Sequence, residues 1–289
     1  MNRTRSNLLP YGLLAPGLLW LLVFFAVPLY YMAEISLKTG NDEVGYRLTW
    51  HFQTYTDALS NYQDQFIRSF EYAGLSTLIA LLIAFPLAYF IAFRGGRYKN
   101  ALLLLVILPF FITYLVRTLS WQTILDDSGW IVSFLKTIGV LGDDGRLLAT
   151  STAVVAGITY NYLPFMILPV YASLERVDPR MLEAGYDLYA KRRDVIMRLV
   201  VPAAAPGIVA GVLLTFIPAA GDYVNAELLG TPQQSMIGNV IQSRYLEIGD
   251  YPTAAALSFI LMLVILVMVL VYARFVGTES LTGADEEAR

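Results

Sequence analysis

Six stretches of this sequence carry no Asp, Glu, Lys or Arg: 11–33, 72–93, 100–116, 147–174, 199–221 and 251–273. A helix rises about 1.5 Å per residue, so runs of this length approach or exceed the roughly 30 Å of hydrocarbon in a bilayer. Nothing else constrains the fold as strongly. In lipid each backbone N–H and C=O needs a partner within the protein, and a single segment meets that need only as a helix. The last run tests the reading by magnitude. Its Leu, Ile, Val and Phe residues between Leu257 and Val271 sum to on the order of −4 to −7 kcal/mol of insertion free energy. The expectation is an all-α polytopic membrane protein of one domain, with spans at about 11–33, 72–93, 100–121, 147–173, 201–221 and 251–273.

Composition agrees: 57% of the 289 residues are hydrophobic and 15% are charged, a balance foreign to soluble domains. Without cysteine there is no disulfide, thiolate metal site or thiol nucleophile. The one histidine, His51, has no second His at ligand spacing and reads as a surface residue. The first run exceeds the apolar core of a signal peptide and is followed by no small-residue cleavage site, so it reads as a span. The segment 128–135 is apolar but too short to cross, and reads as an interfacial or re-entrant helix.

Lys and Arg set the orientation. Arg94, Arg97 and Lys99 fill one tight turn, and Arg176, Arg180, Lys191, Arg192, Arg193 and Arg198 fill the loop 174–200. Both belong on the cytoplasmic side of a bacterial inner membrane, which places both termini there as well. The opposite loops hold Asp42, Glu43, Asp126, Asp127, Asp143, Asp144, Asp222, Glu227, Glu247 and Asp250.

The basic loop is more than a connection. Asp178 can cap a helix that Pro179 opens. Met181, Leu182, Tyr186, Leu188 and Tyr189 recur at offsets near three and four, predicting one apolar side. Glu183, Asp187 and Lys191 fall elsewhere, with Asp187 and Lys191 at i,i+4. Pro202 and Pro206 are expected to end the helical signal before the fifth span. Such an amphipathic helix suits the groove of a partner.

Glu183-Ala184-Gly185, with Leu199, Val201 and Pro202 further on, resembles the "EAA, then G, then I-x-L-P" loop of permease subunits of binding-protein-dependent ABC importers. The resemblance implies a type I importer permease fold, and a coupling helix seated in a cleft of an ATPase subunit. Its coupling residues would be Asp178, Glu183, Ala184, Gly185, Asp187, Leu188, Tyr189 and Pro202. Two positions depart from the pattern: Gly185 replaces the second Ala, and Tyr189 stands where the family has Gly. The implied partners are a second homologous permease subunit, two ATPase subunits and an extracytoplasmic solute-binding protein, beside membrane lipid and no nucleic acid. This chain has no G-x-x-x-x-G-K-[ST] loop, so ATP and Mg would belong to the ATPase, with no cofactor or metal held here and no catalytic residue.

Tyr160–Pro169 with Tyr171–Glu175, Leu108–Phe110 with Leu115–Thr118 and Trp121, and the segments Gly221–Val224, Glu227–Gly230 and Met236–Ile241 look like spermidine/putrescine-type permeases. Permeases for ferric iron share much of the pattern. A flexible polycation would be held by carboxylates and aromatic faces, which points to Tyr160, Tyr162, Asp222, Tyr223 and Glu227. Arg117 is a cation at one end of the third span; it is expected to snorkel to the interface, or to gate the path by pairing with Asp126 or Asp222. An ion-coupled secondary transporter would want ionisable groups inside the spans, and an intramembrane enzyme would want a nucleophile with its base. The spans offer neither.

Overall fold

The computed structural model describes residues 9–41, 44–142 and 144–276; Arg3, Arg5, Asp42, Glu43, Asp143 and the end of the chain lie outside them. The charge-free runs are helical, and five helices are long and apolar enough to cross a membrane, six if one bent pair counts as a span. The helices outrun the apolar stretches. Where 72–93 was expected, one helix runs Gln63–Arg94, and where 201–221 was expected, helix runs Arg192–Ala220.

The described residues fall into two units, one of residues up to 63 with 241–262 and one of residues 64–240 with those from 263 on. In the first, α1 (Leu9–Leu21) passes through a π-helical turn, Leu22–Ala26, into α2 (Val27–Ser36). A hairpin that the sequence reading missed follows. Its strands β1 (Lys38–Asn41) and β2 (Gly45–Leu48) pair antiparallel, with Thr39 opposite Arg47. After it comes α3 (Gln53–Asn61). The Arg244 guanidinium lies over the Tyr62 ring and pairs with Asp250 at 3.4 Å. His51 is exposed, as its isolation in sequence implies, and lines a polar hollow of about 280 Å³ with Asp57, Asn61 and Arg244.

In the second unit, α4 (Gln63–Arg94) and α5 (Lys99–Ile107) lead to a 3₁₀ turn at Leu108–Phe111, and helix resumes as α6 (Tyr114–Leu125). This is not the continuous span expected at 100–121. The two halves meet at 94°, because Ile112 and Thr113 are extended and Pro109 can donate no backbone bond. The short apolar segment forms α7 (Trp130–Thr137), two residues later than the sequence suggested. Then come α8 (Ser151–Glu175), α9 (Pro179–Asp187), α10 (Arg192–Val195), α11 (Val201–Ala220) and α12 (Val224–Leu229); α13 (Ile237–Gln242) and α14 (Tyr251–Val276) each have residues in both units.

Prolines are resolved in two ways. Pro86, Pro164, Pro169, Pro206 and Pro218 sit inside unbroken helices. Before Pro28 and Pro202, a π turn widens the backbone, with Val27 N–H donating to Leu22 and Val201 N–H to Ile196, so the ring does not collide with the carbonyl four residues back. Pro202 and Pro206 therefore do not end the helix, as the sequence reading had it.

The core of this unit is built on close backbone approach. Helices α8 and α11 are in contact along their length, and Gly207 and Gly211 face Pro169 and Met166. Small residues four apart allow this where lipid gives no hydrophobic incentive for helices to associate. Ala80, Ala84 and Ala88 of α4 share a buried cluster with Met166, Val170 and Leu174 of α8. A Cβ on Gly207 would lie 2.3 Å from the Pro169 carbonyl oxygen, whereas one on Gly74 meets nothing. Gly207→Ala should thus cost about 1–3 kcal/mol and lower the thermal unfolding midpoint of the purified protein. Gly74→Ala should leave that midpoint unchanged or raise it slightly.

Candidate functional site

The break at Ile112–Thr113 sets the first turn of α6 against α8 and α12, and a layer of polar side chains fills the space between them. Asp222, two residues past the end of α11, is 5% exposed. Its carboxylate accepts from the Tyr114 hydroxyl, from Tyr162 at 3.3 Å, and from the backbone and side-chain nitrogens of Asn225 at 3.0 and 2.8 Å. Asn225 Nδ2 also donates to Tyr114. Asn161 Nδ2 donates to Thr118 Oγ1 and to Asn225 Oδ1, both at 3.2 Å. Each bond to a charged acceptor contributes about 1.5–3 kcal/mol. Burial pushes the Asp222 carboxyl above the ordinary carboxylate range, while the bonds from Tyr114 and Asn225 act the other way. A carboxylate stripped of water in this manner attracts a dehydrated cation strongly.

Rings surround the layer. Tyr114 and Tyr162 lie 6.2 Å apart, Tyr162 and Phe165 6.3 Å, and Phe110 and Phe165 5.0 Å. Arg117 closes one side. It does not snorkel and makes no ion pair with Asp126 or Asp222, which corrects both expectations. It is 7% exposed, its guanidinium stands over the rings of Phe110 (5.5 Å) and Tyr114 (5.7 Å), and its Nε and Nη1 meet no acceptor. Asp126 is taken by Ser128.

Of the residues picked from sequence, Tyr162, Asp222 and Arg117 come together here. The Tyr160 ring lies tilted against Trp121, with centroids 5.4 Å apart. Tyr223 and Glu227 are exposed on α12, tied by Asn239, whose Nδ2 donates to the Tyr223 carbonyl and to Glu227 at 2.9 and 3.0 Å. Sequence reasoning missed Tyr114, Thr118, Asn161 and Asn225. Asn161, between two tyrosines in a charge-free run, was the legible signal, since an amide in a membrane helix needs a protein partner.

The loop between α8 and α11 is a helix, a reversal and a second helix. Asp178 caps α9, accepting from Arg180 N–H at 2.9 Å. Leu182 is buried, but Met181 and Tyr186 are exposed, and Leu188 and Tyr189 lie beyond the helix end. The helix is two-sided as expected for Met181, Leu182 and Tyr186, but Leu188 and Tyr189 lie past its end and do not extend that apolar side. The Asp187–Lys191 pair is not formed, since Asp187 is the last residue of α9 and Lys191 precedes α10. The reversal has the Schellman pattern: Ala190 N–H donates to Gly185 O at 3.2 Å and Tyr189 N–H to Tyr186 O at 2.9 Å. Tyr189 occupies the left-handed position with φ 57° and is 97% exposed. The backbone thus adopts a shape that glycine usually serves, with a tyrosine projecting from it. Gly185 has its own reason, as a Cβ there would lie 3.0 Å from Leu199 Cδ1. Glu183, Ala184 and Asp187 are exposed on α9, and Pro202 opens α11.

The sequence profile described as "Binding-protein-dependent transport system inner membrane component" matches residues 80–277. The chain belongs to this family. It is 34% identical over 256 residues to the spermidine/putrescine transport system permease protein PotB of Escherichia coli (strain K12), covering 88% of this chain and 93% of that one. It is equally similar to PotB of Haemophilus influenzae, covering 88% and 90%. The inner membrane ABC transporter permease protein YdcU of Escherichia coli is 34% identical over 75% of this chain and 71% of its own. The fold of this permease is that of a chain in the crystal structure of a bacterial ABC transporter for the import of alginate, with TM-score 0.70 and 21% identity over 94% of this chain and 96% of that one. A chain of the MetNI methionine ABC transporter aligns with TM-score 0.55 and 16% identity, over 74% and 93%.

Two outcomes follow. Tyr114→Phe removes one donor to Asp222 and should lower stability by about 1.5–3 kcal/mol, read as a lower thermal unfolding midpoint. Tyr189→Gly relieves a left-handed L-residue and should stabilise by up to about 1 kcal/mol, read as slower exchange of the Tyr189 and Ala190 amides.

Proposed function

We propose that this permease is one half of the membrane pathway of an ATP-driven importer for polyamines such as spermidine and putrescine, in a bacterial inner membrane. The observation that carries the reading is Asp222: a buried carboxylate among tyrosines is the chemistry that holds an alkylammonium, through charge and cation–π attraction together. The identity to PotB across nearly the whole chain supports the same cargo. Ferric iron fits this layer less well, because the Tyr114 and Tyr162 hydroxyls are spent as donors to Asp222 and would have to lose their protons to bind a hard trivalent ion.

The chain works with a second homologous permease, two ATPase subunits that bind ATP and Mg, and an extracytoplasmic solute-binding protein; both termini are cytoplasmic. Glu183, Ala184, Leu188 and Tyr189 meet the ATPase. A hollow of about 340 Å³ lined by Gly185, Leu188, Ala190, Val195 and Leu199 lies beside them, and α10 begins with Arg192 and Arg193, so the ATPase should present an apolar knob and an acidic rim. When the ATPase dimer closes on ATP, α9 carries that movement into α8 and α11, between which it lies in sequence. The dimer's different affinity for the two states supplies the bias.

The test is uptake of radiolabelled spermidine by proteoliposomes holding the full complex and its binding protein. Uptake should require ATP and survive collapse of ion gradients. Asp222→Asn should cut uptake per assembled complex at least about tenfold, equivalent to 1.4 kcal/mol. Glu183→Lys should abolish coupled uptake or assembly. Uptake that follows an ion gradient without ATP, or wild-type complex that carries no polyamine, would overturn the reading.

A further inference from the structure

Arg117 is placed against every local rule. It is a cation in the first turn of α6, where the helix dipole is positive. Its N-cap, Thr113, offers no side-chain bond. Its Nε and Nη1 are buried without an acceptor, and among the described residues no carboxylate forms an ion pair with it. An unpaired charge in such a place costs several kcal/mol. The charge is held against two ring faces, Phe110 and Tyr114. Tyr114 is also the residue whose hydroxyl donates to Asp222. One side chain therefore presents its face to the resident cation and its edge to the carboxylate.

We infer that Arg117 is a tethered stand-in for the cargo: in the empty permease its guanidinium covers the aromatic face that an incoming ammonium takes beside Asp222, and loading displaces it. This rests on the polyamine reading of the Asp222 layer. A permanent cation within the layer raises the cost of entry for any monovalent amine, since only a ligand with several ammonium groups brings enough charge and contact to displace it. Arg117 thereby becomes a determinant of specificity, acting against the wrong cargo as much as for the right one.

The experiment uses the whole complex in lipid nanodiscs without binding protein, and reads binding of labelled spermidine and, separately, of butylamine. Arg117→Gln should bind spermidine about 3- to 30-fold tighter than wild type, the range that a displaced cation–π contact of this depth corresponds to. It should bind butylamine where wild type does not, and its ligand-free unfolding midpoint should rise. Arg117→Lys, which keeps the charge, should stay near wild type. If Arg117→Gln does not assemble, Phe110→Leu removes one of the two rings that hold Arg117 and should also tighten spermidine binding. Weaker or unchanged spermidine binding in these variants, while wild type binds it, would overturn the stand-in role and leave the cargo reading intact. Absence of spermidine binding in wild type and variants alike would overturn both.

Discussion

Hydrocarbon has no hydrogen bonds to give, and the architecture of this permease depends on that fact. Every place where a helix is interrupted must satisfy its own backbone, and the chain does so with local devices. A π turn stands before Pro28 and another before Pro202, and a 3₁₀ turn with two extended residues stands at the α5–α6 break. The break matters most. It turns the chain through 94° and sets the Tyr114 and Arg117 side chains into the protein instead of leaving them on a lipid-facing cylinder.

The polar layer depends on the same constraint. Asp222, Asn225, Asn161, Thr118 and Tyr114 bond to one another because nothing else there could, leaving only the Asn161 Oδ1 of this set without a donor. Beside that set Arg117 is a buried cation with two donor nitrogens that meet no acceptor. Exceptions of this kind are expected where function outweighs stability. The coupling loop shows the same trade at the surface: a Schellman reversal that would relax with glycine keeps Tyr189 in a left-handed conformation, fully exposed.

Much of the fold was legible in the sequence. Charge-free runs located the helices, since length and apolarity are summed properties that tolerate error in any one residue. Asp178 and Pro179 marked the start of α9 through local backbone chemistry. Helix ends were less legible: α4 begins at Gln63, well before the apolar run, because a helix continues past the membrane at little cost wherever its flanks are good helix formers. The hairpin at β1 and β2 left no clear pattern, being four-residue strands with polar faces.

The candidate site was legible only in part. Asp222 and Tyr162 could be chosen by residue type, as carboxylate and aromatic, and the EAA-like loop by its motif. That Asp222 is buried while Glu227, five residues on, is exposed was decided by where α12 docks on α6 and α8. That Arg117 faces two rings and no carboxylate was decided by the turn at Ile112–Thr113. Sequence alone determined which segments enter the bilayer and which loop stays outside it, because those follow from transfer free energies that add along the chain. Tertiary structure alone decided which polar groups meet, because a hydrogen-bonded layer is set by the relative rotation and depth of several helices, and no single helix encodes these.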